Sequence, residues 1–74
     1  MKTYVEVLVS ADGEKASVIS ERLIEMGLKP TIGEHDFVYN WKDNAAVSEV
    51  LNFVDRIQSK LKGTGAILNF STIR

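Results

Sequence analysis

Aromatic residues alternate along a short stretch in the middle of the chain, and this stretch constrains the fold more than any other feature. Phe37, Tyr39 and Trp41 occupy every second position. Successive side chains of a β-strand point to opposite faces, so this spacing predicts a strand that carries all three rings on one face. Gly33 and Asp36, which precede it, are typical of a turn. A single 74-residue domain has little with which to cover this aromatic face, so we expect the face to contact another molecule.

The chain is small and close to neutral. Its 74 residues predict a single domain, residues 1–74. A domain of this size buries only about 60% of its unfolded surface, so a partner subunit would add stability. There is no cysteine, which excludes disulfides, thiol catalysis and cysteine-ligated metals. Nine Lys and Arg are scattered among ten Asp and Glu, so we expect no direct nucleic-acid binding.

The sequence predicts neither a signal peptide nor a membrane-spanning segment. No apolar run approaches the roughly 20 residues that cross a bilayer. The first strand pattern begins after two residues, which leaves no room for a signal peptide. We therefore expect a cytoplasmic protein without membrane contact.

Two helical patterns separate four strand patterns. Strands are predicted over residues 3–10, 28–32, 37–41 and 66–73, and the second helix over residues 47–61, after a turn and cap at residues 42–44. The first helix is predicted between Asp12, as its N-cap, and Gly27, as its C-cap. Pro30 cannot donate a ladder hydrogen bond, so the second strand belongs at a sheet edge.

The order strand, helix, strand, strand, helix, strand predicts an α+β fold. We expect the ferredoxin-like βαββαβ arrangement, a four-stranded antiparallel sheet with both helices on one face. Strands one and three should be central. The other sheet face is then left uncovered, and an uncovered apolar face usually marks an interface.

The third strand has two possible registers on this sheet. In one, Val38 packs on the helices and the three rings lie on the open face, as a subunit interface or as the wall of a pocket. In the other, the rings are core and Asn40 turns outward. The first register predicts an interface that contains Tyr4, Leu8, Phe37, Tyr39 and Trp41.

The segment from Gly33 to Val38 resembles a motif of the Lrp/AsnC (feast/famine) regulators, in their C-terminal effector-binding domain. The family pattern is Gly, an acidic or polar residue, an aromatic residue, Asp, an aromatic residue and an aliphatic residue. Gly33, Asp36 and Phe37 match it, whereas His35 stands in the first aromatic slot. The order and length of the elements also match over nearly the whole chain. The helix-turn-helix that precedes this domain in the family has no counterpart here.

The resemblance implies a stand-alone sensor domain without catalytic residues, metal or cofactor. It implies a homodimer whose sheets pack face to face as an α/β barrel, larger rings of dimers, and amino-acid effectors bound at interfaces. Regulation would pass through mixed assembly with full-length regulators. The ligand-binding residues it implies are Gly33, Glu34, His35, Asp36, Ser71 and Thr72.

The same residues also have structural interpretations. Gly33 permits the turn, Asp36 caps it, and Ser71 and Thr72 are ordinary strand-end residues. His35 is the only histidine, and alone it completes neither a metal site nor a catalytic triad.

Two other functions fit the predicted fold. One is a small cofactor-free enzyme, similar to the monooxygenases and isomerases that form dimeric α/β barrels, with Tyr39, Trp41 and His35 around an enclosed space. No paired carboxylates, nucleophile with base or phosphate loop identifies such a site. The other is an ACT-type regulatory domain, which would place sheets side by side and bind its ligand near Asp12 and Gly13.

Overall fold

The chain folds in the predicted order, in a computed structural model that describes residues 1–74. The elements are β1 (Lys2–Leu8), α1 (Ala16–Glu25), β2 (Lys29–Pro30), β3 (Phe37–Asn40), α2 (Val47–Lys60) and β4 (Ile67–Ile73). The strands form one antiparallel sheet of four strands in the order β2-β3-β1-β4. The α+β, ferredoxin-like prediction is confirmed, and the short strand with Pro30 lies at an edge as expected. Neither helix is long and apolar enough to cross a membrane.

The first helix begins later than the sequence predicted. Asp12 is not its N-cap, because α1 starts after Lys15 and has no side-chain cap. The turn after β1 instead packs against the loop before β4, where Glu14 N–H donates to the carbonyl of Thr64 at 2.9 Å. A Cβ on Gly13 would lie 2.3 Å from the same carbonyl oxygen. Gly13 and Glu14, which the sequence placed at the start of the helix, therefore pack against Thr64 instead.

The C-terminal end of α1 is as predicted. Gly27 has φ +95° and donates its N–H to the carbonyl of Ile24 at 2.9 Å. Leu28 N–H donates to the carbonyl of Leu23 at 3.2 Å, which completes a Schellman motif. Both leucines are buried, so the motif also directs the chain back into the core.

The second helix begins at Val47, and its N-cap lies later in the chain than the sequence predicted. Its N-cap is Ala46 rather than a residue of 42–44. Ala46 N–H donates to Glu49 Oε1 at 3.3 Å, so the glutamate in the first turn satisfies the capping position. The acidic side chain at this end also suits the helix dipole.

The core lies between the two helices and one face of the sheet. Its eight residues come from β1, both helices, β3 and the turns that follow the helices: Val5, Ile19, Leu23, Leu28, Phe37, Phe53, Ile57 and Leu61. Val5 of β1 is paired with Phe37 of β3, so both point to the helix side.

The aromatic strand has the second of the two registers, and the prediction that its rings lie on the open face is wrong. Phe37 is core, and the rings of Tyr39 and Trp41 lie 4.3 and 5.4 Å from the ring of Phe53 on α2. Phe37, Tyr39 and Trp41 are therefore removed from the predicted interface. The physical reason is that α2 supplies an aromatic partner, Phe53, that covers them. Val38 and Asn40 point to the opposite face.

Candidate functional site

The sheet face opposite the helices, which we call the open face, has no covering layer. Its residues alternate with the core-facing ones along β1, β3 and β4: Lys2, Tyr4, Glu6, Leu8, Val38, Asn40, Ile67, Asn69, Ser71 and Ile73. Leu8, Ile67 and Ile73 are 60, 61 and 55% exposed. Leu8 and Ile67 are cross-strand partners, so they form one continuous apolar area. The predicted interface residues Tyr4 and Leu8 are where the sequence placed them.

Tyr4, Glu6 and His35 form the only side-chain cluster on the open face that joins an aromatic ring, an imidazole and a carboxylate. The rings of Tyr4 and His35 stack with centroids 4.5 Å apart and planes 28° apart. His35 Nδ1 lies 3.4 Å from Glu6 Oε1, and the two side chains are 29 and 48% exposed. The cluster is therefore partly ordered by its own contacts and still open to a ligand.

Backbone hydrogen bonds explain why His35 reaches this cluster. Asp36 N–H donates to the carbonyl of Val5 at 3.1 Å, which extends the pairing of β1 and β3 beyond the end of β3. The hydroxyl of Thr31 donates to the carbonyl of His35. The loop is thereby fixed on both sides of His35, with the imidazole over Tyr4.

Asp36 itself has a structural role. Its Oδ2 accepts a hydrogen bond from Val7 N–H at 2.7 Å, and its carbonyl accepts one from Thr31 N–H at 2.9 Å. The side chain therefore binds the loop to β1 and does not cap the turn itself, as the sequence had suggested. Gly33 has φ +119° and no neighbour within 4 Å of where a Cβ would lie, and Glu34 is exposed beside it.

The six predicted ligand-binding residues do not form one site. Ser71 is on the open face, directly across from Tyr4. Thr72 faces the helices, where its hydroxyl lies 2.9 Å from that of Thr3. Trp41 Nε1 donates to the buried Thr3 hydroxyl at 2.9 Å, so the exposed Thr72 joins a polar network on the helix side of the sheet. Of the predicted set, only His35 and Ser71 share the open face with Tyr4.

Glu6 belongs to the site and was not predicted. The signal was available, because Glu6 lies two positions after Tyr4 in β1 and so shares its face. What the sequence did not provide is the distance to His35, 29 residues further along the chain. No three His, Cys, Asp or Glu side chains converge anywhere in the structure as metal ligands would.

Comparison with family models, with curated proteins and with solved structures found no match. The resemblance to Lrp/AsnC regulators therefore stays a prediction from the sequence.

Proposed function

We propose that the chain is a non-enzymatic module that dimerises through its open face and binds an amino-acid-type effector between the two sheets. The observation that carries the proposal is the open face, with three large aliphatic side chains more than half exposed on one uncovered sheet. A sheet that is apolar on a face normally buries that face against another layer. In this chain both helices are on the other side, and a second molecule would supply the layer that covers Leu8, Ile67 and Ile73.

The charges on β1 favour a second copy as that layer. Lys2 and Glu6 have opposite charges and lie at different points along the same strand face. In a two-fold dimer each contact occurs twice, because residue i of one chain contacts residue j of its partner and residue j contacts the partner's residue i. A two-fold axis parallel to the open face and perpendicular to β1, crossing that strand at Val5, sets Ile73 opposite the partner's Ile67, so apolar area meets apolar area. Lys2 then lies one same-face position from the partner's Glu6, and Glu6 lies one such position from the partner's Lys2.

The cluster on the open face has the groups that an amino acid needs. Glu6 offers a carboxylate for an α-ammonium group, and a ring N–H of His35 or the Lys2 ammonium offers a partner for an α-carboxylate. Hydrogen bonds between charged groups are about twice as strong as those between neutral ones. The ring of Tyr4 and the flanking aliphatic side chains would surround the effector's own side chain. In a face-to-face dimer this cluster becomes an enclosed site.

The dimer is tested by light scattering on the intact chain and on two variants. Leu8→Glu puts a charge into the proposed contact, and Ile32→Glu is the matched control, since Ile32 is fully exposed in a loop outside the open face. We expect Leu8→Glu to lower the solution mass and Ile32→Glu to leave it unchanged. An intact chain with the mass of one 8.2 kDa chain would refute the dimer.

Effector binding is tested by calorimetry with the individual amino acids. We expect at least one to bind, and Glu6→Gln to weaken that binding by about tenfold or more, because one charged partner is lost. Gln58→Glu, an exposed change on α2, is the control and should bind as the intact chain does. If no amino acid binds a chain that does dimerise, the effector part of the proposal is wrong and the dimer remains.

A cofactor-free enzyme is the second candidate, and one observation favours it. The contact between His35 Nδ1 and Glu6 Oε1 is the arrangement of a base and the carboxylate that orients it. Tyr39 and Trp41, which the enzyme hypothesis also used, lie on the other sheet face and drop out. Any compound that binds is followed over time by NMR. An effector stays unchanged, whereas conversion that His35→Gln abolishes would establish an enzyme.

A further inference from the structure

The two edges of the sheet are built differently. The edge strand β2 has only two residues, Lys29 and Pro30, both exposed. A short strand, a lysine and a proline are the usual devices that prevent another strand from pairing with an edge. The other edge, β4, is seven residues long, from Ile67 to Ile73, and contains neither a charged residue nor a proline. One edge is therefore protected and the other is free to pair.

We infer that β4 pairs with β4 of a second copy, antiparallel and centred on Phe70, so that two sheets join edge to edge into one. This contact is made through the backbone edge of β4, whereas the open-face contact proposed above is made through side chains that project from the sheet.

The sequence of β4 is complementary to itself in that register. Across a two-fold at Phe70, Ile67 lies opposite the partner's Ile73 and Asn69 opposite the partner's Ser71. These four residues are on the open-face side, so an aliphatic pair and a hydrogen-bonding pair each form twice. Cross-strand pairs of these kinds stabilise an antiparallel sheet by about 0.2 to 1 kcal/mol each. No like charges meet in this register.

The helix layer next to β4 also lacks a covering. Val47 and Leu51, one turn apart on α2, are 68 and 56% exposed. With Val50 they line a groove of about 260 Å³ whose other wall includes Thr72 and Arg74 from the end of β4. The two-fold that pairs the strands brings the two α2 helices side by side. The second copy that completes the sheet therefore also covers this apolar strip.

The two proposed contacts are geometrically compatible. The two-fold of the edge contact is normal to the sheet, and the two-fold of the open-face contact lies parallel to it. Perpendicular two-folds that intersect generate a closed tetramer with D2 symmetry. With both contacts formed we expect four copies of the 8.2 kDa chain.

The edge contact is tested by light scattering on Val47→Glu and Leu51→Glu, which change only the helix strip beside β4. Ile24→Glu is the matched control, an exposed aliphatic residue on α1 that belongs to neither contact. We expect each α2 variant to halve the solution mass and the control to leave it unchanged. The mass should halve whether or not the open-face contact also forms. Leu8→Glu tests the open-face contact separately. Circular dichroism checks that every variant is folded.

Amide hydrogen exchange gives the second readout. In the assembled chain, both sides of β4 should be protected, and in Leu51→Glu the amides on its outer side should exchange at least tenfold faster while those bonded to β1 stay slow. An unchanged mass for both α2 variants, with fast exchange along the outer side of β4 in the intact chain, would overturn the inference. The free edge would then be left for a strand of a different protein.

Discussion

The register of the aromatic strand can be tested by changing Phe53 to leucine. Phe53 is 6% exposed, and its ring packs on Tyr39 at 4.3 Å and on Trp41 at 5.4 Å between centroids. Each such aromatic pair is worth about 0.5 to 1.5 kcal/mol beyond the area it buries. Loss of both pairs predicts that Phe53→Leu lowers the free energy of unfolding by about 1 to 3 kcal/mol. Leucine fills most of the space, so the variant should still fold.

The expected loss is large for a chain of this size. Proteins have about 0.05 to 0.15 kcal/mol of stability per residue, or about 4 to 11 kcal/mol here. At about 4 to 8 °C per kcal/mol, the melting temperature should fall by about 5 to 20 °C. Urea unfolding gives the free energy directly, and the fluorescence of Trp41, the only tryptophan, reports the change around the indole.

Gln58→Ala serves as the control for that measurement, because Gln58 is exposed on the same helix and should change stability by less than about 0.5 kcal/mol. If Phe53→Leu were no more destabilising than Gln58→Ala, and Trp41 fluorescence were unchanged, the rings would not lie under α2. Such a result would favour the other register, in which the three rings lie on the open face.

Substitutions at three further positions each test a single contact, by urea unfolding against the intact chain. Thr3→Val removes the buried hydroxyl that accepts from Trp41 and should cost about 1 to 3 kcal/mol, since the indole N–H loses its partner; no loss would mean that the network is absent. Gly13→Ala puts a Cβ 2.3 Å from a carbonyl oxygen of the loop before β4 and should cost about 1 to 3 kcal/mol; a neutral result would contradict the loop contact. Asp36→Ala should cost about 1 kcal/mol and Asp36→Asn less, because asparagine still accepts from Val7 N–H; equal costs would argue against that bond.

The parts of the fold that follow from periodicity and turn chemistry could be predicted from the sequence. The apolar spacing gave α2, the alternation gave β1, β3 and β4, and Pro30 gave the edge position of β2. The glycine after α1 was recognised because a left-handed residue at that point closes a helix. Each of these signals depends only on near neighbours in the chain.

The features that were missed depend on contacts between distant residues. Asp12 looks like an N-cap locally, but Glu14 N–H donates to the carbonyl of Thr64 and α1 starts only after Lys15. The register of β3 could not be chosen, because both of its faces are apolar enough to be buried and the deciding contact is with Phe53. Glu6 was missed for the same reason, since its partner His35 is distant in sequence.

The most direct test of the proposed function is an NMR experiment on a mixture of isotope-labelled and unlabelled chains that detects only contacts between different molecules. A face-to-face dimer predicts cross-peaks between the ring of Tyr4 in one chain and the methyl groups of Leu8 or Ile67 in its partner. These side chains all lie on the open face, and none belongs to the α2 strip beside β4. Absence of such cross-peaks, together with the solution mass of one chain, would contradict the proposal that a second copy covers the open face.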